Sequence, residues 1–205
     1  MNKIIVGILI CMLLITMILP TFASAGDSEN PEVEDRILDV KLFGIIPFLL
    51  QKIVKYSDII SAWFYEEQED SEYLYVSMKV RDLQEKTDLE AIYVVSWVCN
   101  FDSYSASVHV NPNGVTPLFA GKNDEEGNDY VEKVECDGSF NLEEQIITWK
   151  VPKDIIGNPE IGTKLTDIHP HTHLRFRDDS DLPHMDLFKD LAWNAKTAKD
   201  YVIQY

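Results

Sequence analysis

Apolar and polar residues alternate along most of the chain after residue 57, with the period of two that is typical of β-strands. In residues 72–83 the side chains of Leu74, Val76, Met78 and Val80 share one face, and tyrosines and polar residues share the other. Residues 103–110 and 145–151 repeat this pattern, and residues 91–101 are apolar on both faces. A segment that is apolar on both faces is typical of a central strand that is covered on both sides.

Turn-forming residues separate these segments at residues 111–114, 121–129, 136–139 and 157–162, and residues 200–205 are predicted to form a last strand. Short alternating strands at this spacing predict an all-β fold. We expect a two-sheet antiparallel β-sandwich, jelly-roll or immunoglobulin-like, of eight to ten strands. A first strand near 37–43 and a short helical segment near the N-terminus complete the prediction, and a membrane-contacting patch over 45–54 is the alternative to the helix.

The first 25 residues follow the order of a secretory signal peptide. Lys3 gives a basic start, residues 4–19 form an apolar run, and the small residues Ala23-Ser24-Ala25 precede an expected cleavage site. An uncleaved membrane anchor is the alternative. We expect export to the cell surface or the medium, no stable transmembrane span after cleavage, and three regions: a signal peptide (1–25), a flexible acidic leader (26–36) and a single sandwich domain (37–205).

The chain is strongly acidic, with 35 Asp and Glu against 18 Lys and Arg and a net charge of −17. Removing residues 1–25 removes one lysine and no acid, so the mature charge would be −18. Nucleic acid is excluded as a partner because its phosphates require a basic surface. Acidity of this kind is typical of a soluble surface that repels its own copies.

Two cysteines, Cys99 and Cys136, lie after the expected cleavage site. Two cysteines in an exported chain are more typical of a disulfide than of a metal site. Neither has a second cysteine nearby, which excludes a zinc ribbon. We therefore expect a Cys99–Cys136 disulfide.

Three segments resemble a known class of secreted domain. They are "SDIISAWFYEEQEDSEYLYVSMKVRDL" from residue 57, "TWKVPKDIIGNPEIGTKL" from residue 148, and "KDYVIQY" at the C-terminus. Their order resembles domains of the family-9 carbohydrate-binding-module and DOMON type. The resemblance implies a jelly-roll-like sandwich that binds a ligand rather than catalysing a reaction. In that class paired aromatic residues bind sugar and calcium stabilises the fold, and DOMON domains bind haem or sugar.

The segment "IHPHTHLRFR" at residues 168–177 is a candidate metal site. On a strand His169, His171 and His173 share one face at a spacing of about 6.5–7 Å, and His184 lies close in sequence. Imidazoles at this spacing suit copper or zinc. Two arginines on the same face, Arg175 and Arg177, oppose a bound cation, so a solvated strand face is the alternative.

Acidic loops and exposed aromatic residues are two further candidates. Asp124, Glu126 and Asp129 offer oxygen ligands for calcium, without the spacing of an EF-hand. Tyr73 and Tyr75 lie on the polar face of their predicted strand, and Trp193 lies in an irregular segment, so these rings could contact a sugar. Trp97 and Trp149 are predicted to lie in the core.

Catalytic motifs such as G-x-S-x-G, H-E-x-x-H and the P-loop are absent from the sequence. The sequence therefore predicts an exported, non-catalytic binding module for a saccharide or a cell-envelope component. A transition-metal-binding protein and a purely structural envelope protein are the alternatives. No cofactor is firmly predicted; calcium, copper and zinc are the candidates.

Overall fold

The computed structural model describes residues 26–35, 41–42, 55–124, 130–175, 186–191 and 197–205. Over these ranges the protein is mostly antiparallel β-sheet, as the alternating pattern predicted. A 3-10 turn at Gln68–Asp70 connects two of the strands. The strands are β1 (Val33–Glu34), β2 (Lys41–Leu42), β3 (Ile59–Tyr65), β4 (Tyr73–Val80), β5 (Glu90–Cys99), β6 (Asp102–Asn111), β7 (Gly114–Val115), β8 (Leu118–Asn123), β9 (Tyr130–Asn141), β10 (Ile146–Pro152), β11 (Lys164–Arg175), β12 (Asp186–Leu191), β13 (Thr197–Ala198) and β14 (Tyr201–Val202).

The strands form one continuous, strongly curled sheet with the shape of a half-barrel. Its hydrogen-bonded order is β13-β1-β3-β4-β10-β9-β8-β6-β5-β11-β12-β2, with β14 beside β11 and β7 beside β6. The sheet passes from one half to the other through β9, whose residues 130–136 pair with β8 and whose residues 137–141 pair with β10. Two separate sheets were predicted and are not confirmed, because β9 hydrogen-bonds to both halves.

The turn predicted at residues 136–139 lies instead inside β9. Gly138 is required there by a close approach of two strands rather than by a reversal of the chain. A Cβ atom on Gly138 would lie 2.1 Å from the carbonyl oxygen of Thr148 on β10. Glycine in a strand marks either a turn or a place where two backbones approach closely, and here Gly138 marks the second.

The concave side of the sheet encloses a single hydrophobic core. The face of β4 predicted to be apolar is fully buried, and so are the predicted core residues Trp97 and Trp149. The two halves of the sheet contact each other through this core. The rings of Phe64 on β3 and Trp97 on β5 meet edge to face at 5.5 Å, and the indole N–H of Trp149 donates to the carbonyl of Ser107 on β6 at 3.0 Å.

Part of the segment expected to be a flexible acidic leader is packed against the sheet: residues 27–30 are exposed, but residues 31–35 are buried or half-buried. Val33 is 1% exposed, and β1 pairs with both β3 and β13. The predicted first strand near 37–43 overlaps β2, whereas the helical segment falls in residues 43–54, outside the described residues. Over the part of the chain that the structure describes, no helix is long and apolar enough to cross a membrane.

The predicted disulfide is wrong: Cys99 and Cys136 are both free thiols. Cys99 ends β5, whereas Cys136 pairs with Leu118 on β8. Three strand spacings of about 4.8 Å separate β5 from β9, and the two cysteines are also offset along their strands by about six residues. A disulfide needs Cα atoms within about 7 Å, so the sheet order excludes this bridge.

Candidate functional site

Four aromatic side chains share the outer side of β3 and β4; three are half-buried tyrosines, and the fourth, Trp63, is only 6% exposed. Because side chains alternate along a strand, Trp63 and Tyr65 share the face of β3 that carries Tyr73 and Tyr75 on β4. Tyr65 and Tyr75 are directly opposite each other, and their rings stack at a centroid distance of 4.7 Å and an angle of 11°. We call these four residues the aromatic face.

A lysine and an aspartate hold the tyrosines of the aromatic face in place. The hydroxyl of Tyr75 donates to Asp70 at 2.5 Å, and the ammonium of Lys150 contacts the same carboxylate at 2.5 Å. Lys150 also lies 4.1 Å from the ring centroid of Tyr73, a cation–π contact. The pKa of Asp70 is lowered by Lys150 first and by Tyr75 second, whereas partial burial raises the pKa of Tyr75 to about 12. These contacts give the rings fixed positions before any ligand arrives.

A cleft of about 480 Å³ opens beside the aromatic face. Trp63 and Tyr65 form its aromatic wall, and the hydroxyls of Ser77 and Thr148 hydrogen-bond to each other there at 2.9 Å. Ser77 is 1% exposed, so the half-buried hydroxyl of Thr148 is the one with capacity for a further hydrogen bond in the cleft, since a hydroxyl has one donor and two acceptor positions. The remaining lining residues are Gly26, Asp27, Ser28, Glu66, Glu144 and Ile146.

The aromatic face also leads to a second cleft, of about 420 Å³, which lies beyond Tyr73. Ser77, Tyr75 and Tyr73 are two residues apart on β4, so the face between the two clefts extends about 13 Å along the strand. Ser71, Asp154 and Asn158, which are all exposed, supply polar groups to the second cleft. Together the two clefts and the aromatic face make an elongated surface that is aromatic in the middle and polar at both ends.

A buried ion pair adjoins the first cleft, since Glu66 is one of the residues that line it. The ammonium of Lys153 contacts the carboxylate of Glu66, which also accepts the hydroxyl of Tyr201 at 3.0 Å and the amide of Gln204 at 2.7 Å. Lys153 also donates to the carbonyl of Tyr205 at 2.5 Å. The side chain of Glu66 is fully buried, and that of Lys153 is 7% exposed. The C-terminal residues are thereby attached to the end of β3.

The histidine segment forms β11, and its predicted alternation is confirmed. His169, His171 and His173 lie on the outer face, whereas Ile168, Pro170, Thr172 and Leu174 are buried. The rings of His171 and His173 meet edge to face at 5.1 Å. Within the described residues no three His, Cys, Asp or Glu side chains come together as a metal site. Copper or zinc binding stays a prediction, and His184 lies outside the described residues.

The other predicted site residues lie partly inside and partly outside the described residues. Asp124 follows β8, whereas its predicted calcium partners Glu126 and Asp129 lie outside the described residues, so the calcium site stays a prediction. Trp193 also lies outside them. Tyr73 and Tyr75 occupy the outer face of β4, where the sequence placed them.

Sequence reasoning missed Trp63 and Tyr65 as site residues. The segment "IISAWFY" is apolar at nearly every position, so its pattern does not show which side faces outward. Tyr75, already a candidate on the neighbouring strand, was the available signal, because a ring on one strand of an antiparallel pair lies opposite a ring on the other. The acidic residues of the first cleft were missed because Asp27 lies in the segment assigned as a leader.

Comparison with models of known protein families, with characterised proteins and with solved structures finds no match to this chain.

Proposed function

We propose that this protein is an exported, non-catalytic binding module whose ligand is an uncharged polysaccharide, bound along the aromatic face. The observation that carries the proposal is the cleft of about 480 Å³ with an aromatic wall and polar side chains around it. Small-molecule sites commonly have volumes of about 300–1,000 Å³ and combine aromatic side chains with a few polar groups. Sugar rings present the same combination, with apolar C–H faces and hydroxyl edges.

The arrangement of the polar groups supports a saccharide. Asp27 and Glu144 offer carboxylate oxygens, which accept hydrogen bonds from sugar hydroxyls, and the half-buried hydroxyl of Thr148 can both donate and accept. The aromatic rings are held by Asp70 and Lys150, so binding would not have to order them. A site that is ordered before binding loses less side-chain entropy when the ligand arrives.

The charges of the cleft favour an uncharged sugar over an acidic one. The ionisable residues that line it are Asp27, Glu66 and Glu144. The carboxylate of Glu66 is buried in its ion pair with Lys153, which leaves Asp27 and Glu144, both acidic, as the charges that a ligand would meet. A net charge of −17 for the whole chain acts in the same direction at long range. Polymers that contain uronic acids or sulfate would therefore be repelled.

We further propose that the curled sheet is a form of the two-layer sandwich that the family-9 carbohydrate-binding-module and DOMON resemblance implies. The half built on β3, β4 and β10 faces the half built on β5, β6 and β11 across the core, and β9 belongs to both. The carbohydrate modules of that class also use paired aromatic residues, which Tyr65 and Tyr75 would supply here.

Affinity electrophoresis in gels that contain soluble polysaccharides tests the proposal. Gels with neutral polymers (hydroxyethylcellulose, xyloglucan, β-glucan, galactomannan) are compared with gels that contain alginate or polygalacturonate. We expect retardation by at least one neutral polymer and by neither acidic one. Tyr65→Ala and Tyr75→Ala should each weaken that binding about tenfold, which corresponds to about 1.4 kcal/mol.

Tyr130→Ala is the matched control, because Tyr130 is a half-buried tyrosine on β9, away from the aromatic face. Its loss should leave the retardation unchanged. Binding that survives both Tyr65→Ala and Tyr75→Ala, or that is lost equally in Tyr130→Ala, would contradict a site on the aromatic face. Absence of retardation in every neutral gel would contradict saccharide binding itself and favour a structural envelope role.

A further inference from the structure

The most unusual buried group outside the aromatic face is the carboxylate of Glu32. This residue is 6% exposed, and its carboxylate accepts the backbone amide of Phe64 on β3 at 2.8 Å. Among charged side chains, Lys199 lowers the pKa of Glu32 and Asp27 raises it. Burial dominates, so the pKa of Glu32 rises to about 7. A buried carboxylate with so little compensating charge is unfavourable when it is ionised.

Gly26 lies directly against this carboxylate. Residue 26 is buried, and a Cβ atom built on it would lie 2.2 Å from one oxygen of Glu32 and 2.5 Å from the other. The carboxylate cannot simply move away, because the amide of Phe64 holds it. A side chain at residue 26 would therefore displace the Glu32 carboxylate from its hydrogen bond with Phe64, and glycine lets the backbone approach this closely.

Gly26 is also the first residue after the expected cleavage site. Hydrolysis of the peptide bond between Ala25 and Gly26 by a signal peptidase adds one water. Ala25 then ends in a carboxylate, and the nitrogen of Gly26 leaves as an amine that takes up a proton. We propose that the bond before Gly26 is the processing site and that Glu32 is the receptor for the new α-ammonium group, which forms a buried ion pair with it.

This ion pair would secure the N-terminal segment only after processing. Residues 26–35 already make specific contacts: the amide of Asp35 donates to Ile60 at 2.9 Å, and the ammonium of Lys199 donates to the side chain of Asn30 at 2.8 Å. While the bond between Ala25 and Gly26 is intact, the nitrogen of Gly26 is an uncharged amide and cannot form an ion pair with Glu32. The α-ammonium would supply that charge beside the Glu32 carboxylate, which is buried and accepts the backbone amide of Phe64.

The test uses the exported protein and does not depend on sugar binding. The full chain, with residues 1–25, is expressed in a secreting bacterium, and the intact mass of the product is measured. We expect the mass of residues 26–205. A product that retains residues 1–25 or begins at another residue would overturn the proposal.

The ion pair is tested on the same product by transamination with pyridoxal phosphate, which replaces the α-amine by a neutral carbonyl and leaves lysines unchanged. In the wild-type protein and in Glu29→Gln, a matched control in the same segment, transamination should lower the unfolding midpoint by roughly 2–6 °C. In Glu32→Gln it should have almost no effect. An equal shift in wild type and Glu32→Gln would overturn the ion pair.

A second readout does not need the Glu32 variant to fold. The carboxyl carbon of Glu32 is followed by NMR as a function of pH, before and after transamination. With the α-ammonium present the carboxylate should titrate near or below its ordinary pKa, and after transamination close to 7. Identical titration curves would contradict the contact.

Discussion

Replacing Lys153 by methionine should be among the most destabilising single changes in this chain. The substitution removes the ammonium that faces Glu66, whose side chain is fully buried, and leaves that carboxylate with the hydroxyl of Tyr201 and the amide of Gln204. Removing one partner of a buried ion pair costs about 3–5 kcal/mol, because the other charge stays buried without compensation. Two hydrogen bonds remain, so we expect about 3 kcal/mol.

Thermal unfolding followed by circular dichroism measures this cost. A domain of this size loses about 2–4 °C of unfolding midpoint per kcal/mol, so Lys153→Met should lower the midpoint by roughly 6–12 °C. Lys164→Met is the matched control, because Lys164 forms an ion pair with Asp200 at 3.3 Å in which the two side chains are 64% and 44% exposed. An exposed pair contributes at most about 1 kcal/mol. A double variant, Lys153→Met with Glu66→Gln, removes both charges and keeps an acceptor for Tyr201, so it should be less destabilised than Lys153→Met alone. Equal midpoints for Lys153→Met and Lys164→Met would refute the reasoning.

Two other predictions concern titratable groups. In a chain that retains a residue before Gly26, the pKa of Glu32 is raised from 4.5 to about 7. Its contribution to stability is therefore complete below pH 4.5 and is lost as the pH rises to 7, a change of at most about 3 kcal/mol. Urea unfolding between pH 4 and 8 should show this loss in the wild type and not in Glu32→Gln. Cys99 and Cys136 should both be recovered as thiols without a reductant, and peptide mapping that finds a Cys99–Cys136 disulfide would contradict this. Burial raises the pKa of Cys136 to about 12. Iodoacetamide at pH 8 should therefore alkylate Cys136 in the native protein about a thousandfold more slowly than the same cysteine in the unfolded chain.

The core could be predicted from the sequence because alternation is a local property. Leu74, Val76, Met78 and Val80 share a face in any β-strand, and that face is buried whatever the neighbouring strands are. Trp97 was predicted correctly for a different local reason: it lies in a segment that is apolar on both faces, as a strand covered on both sides would be.

Features that depend on strand order could not be predicted in this way. The Cys99–Cys136 prediction failed because the distance between two cysteines depends on how many strands lie between them. The site was predicted only in part: Tyr73 and Tyr75 were placed on the correct face, but their aromatic neighbours on β3 are set by the pairing of β3 with β4. Glu32 was hidden in an acidic segment that composition alone makes look like a leader.

The pairing of β1 has a consequence for the time at which the protein can finish folding. Val33 is paired with Ala62 on one side and with Ala198 on the other, so β1 can pair with β3 early but lacks its second neighbour, β13, until almost the whole chain has been synthesised. Contacts between residues this far apart in sequence are slow to form. A ribosome-bound chain therefore cannot close its N-terminal segment, and completion waits for the last ten residues. For a protein that leaves the cell, as we propose, such a delay keeps the chain open while it is still being made.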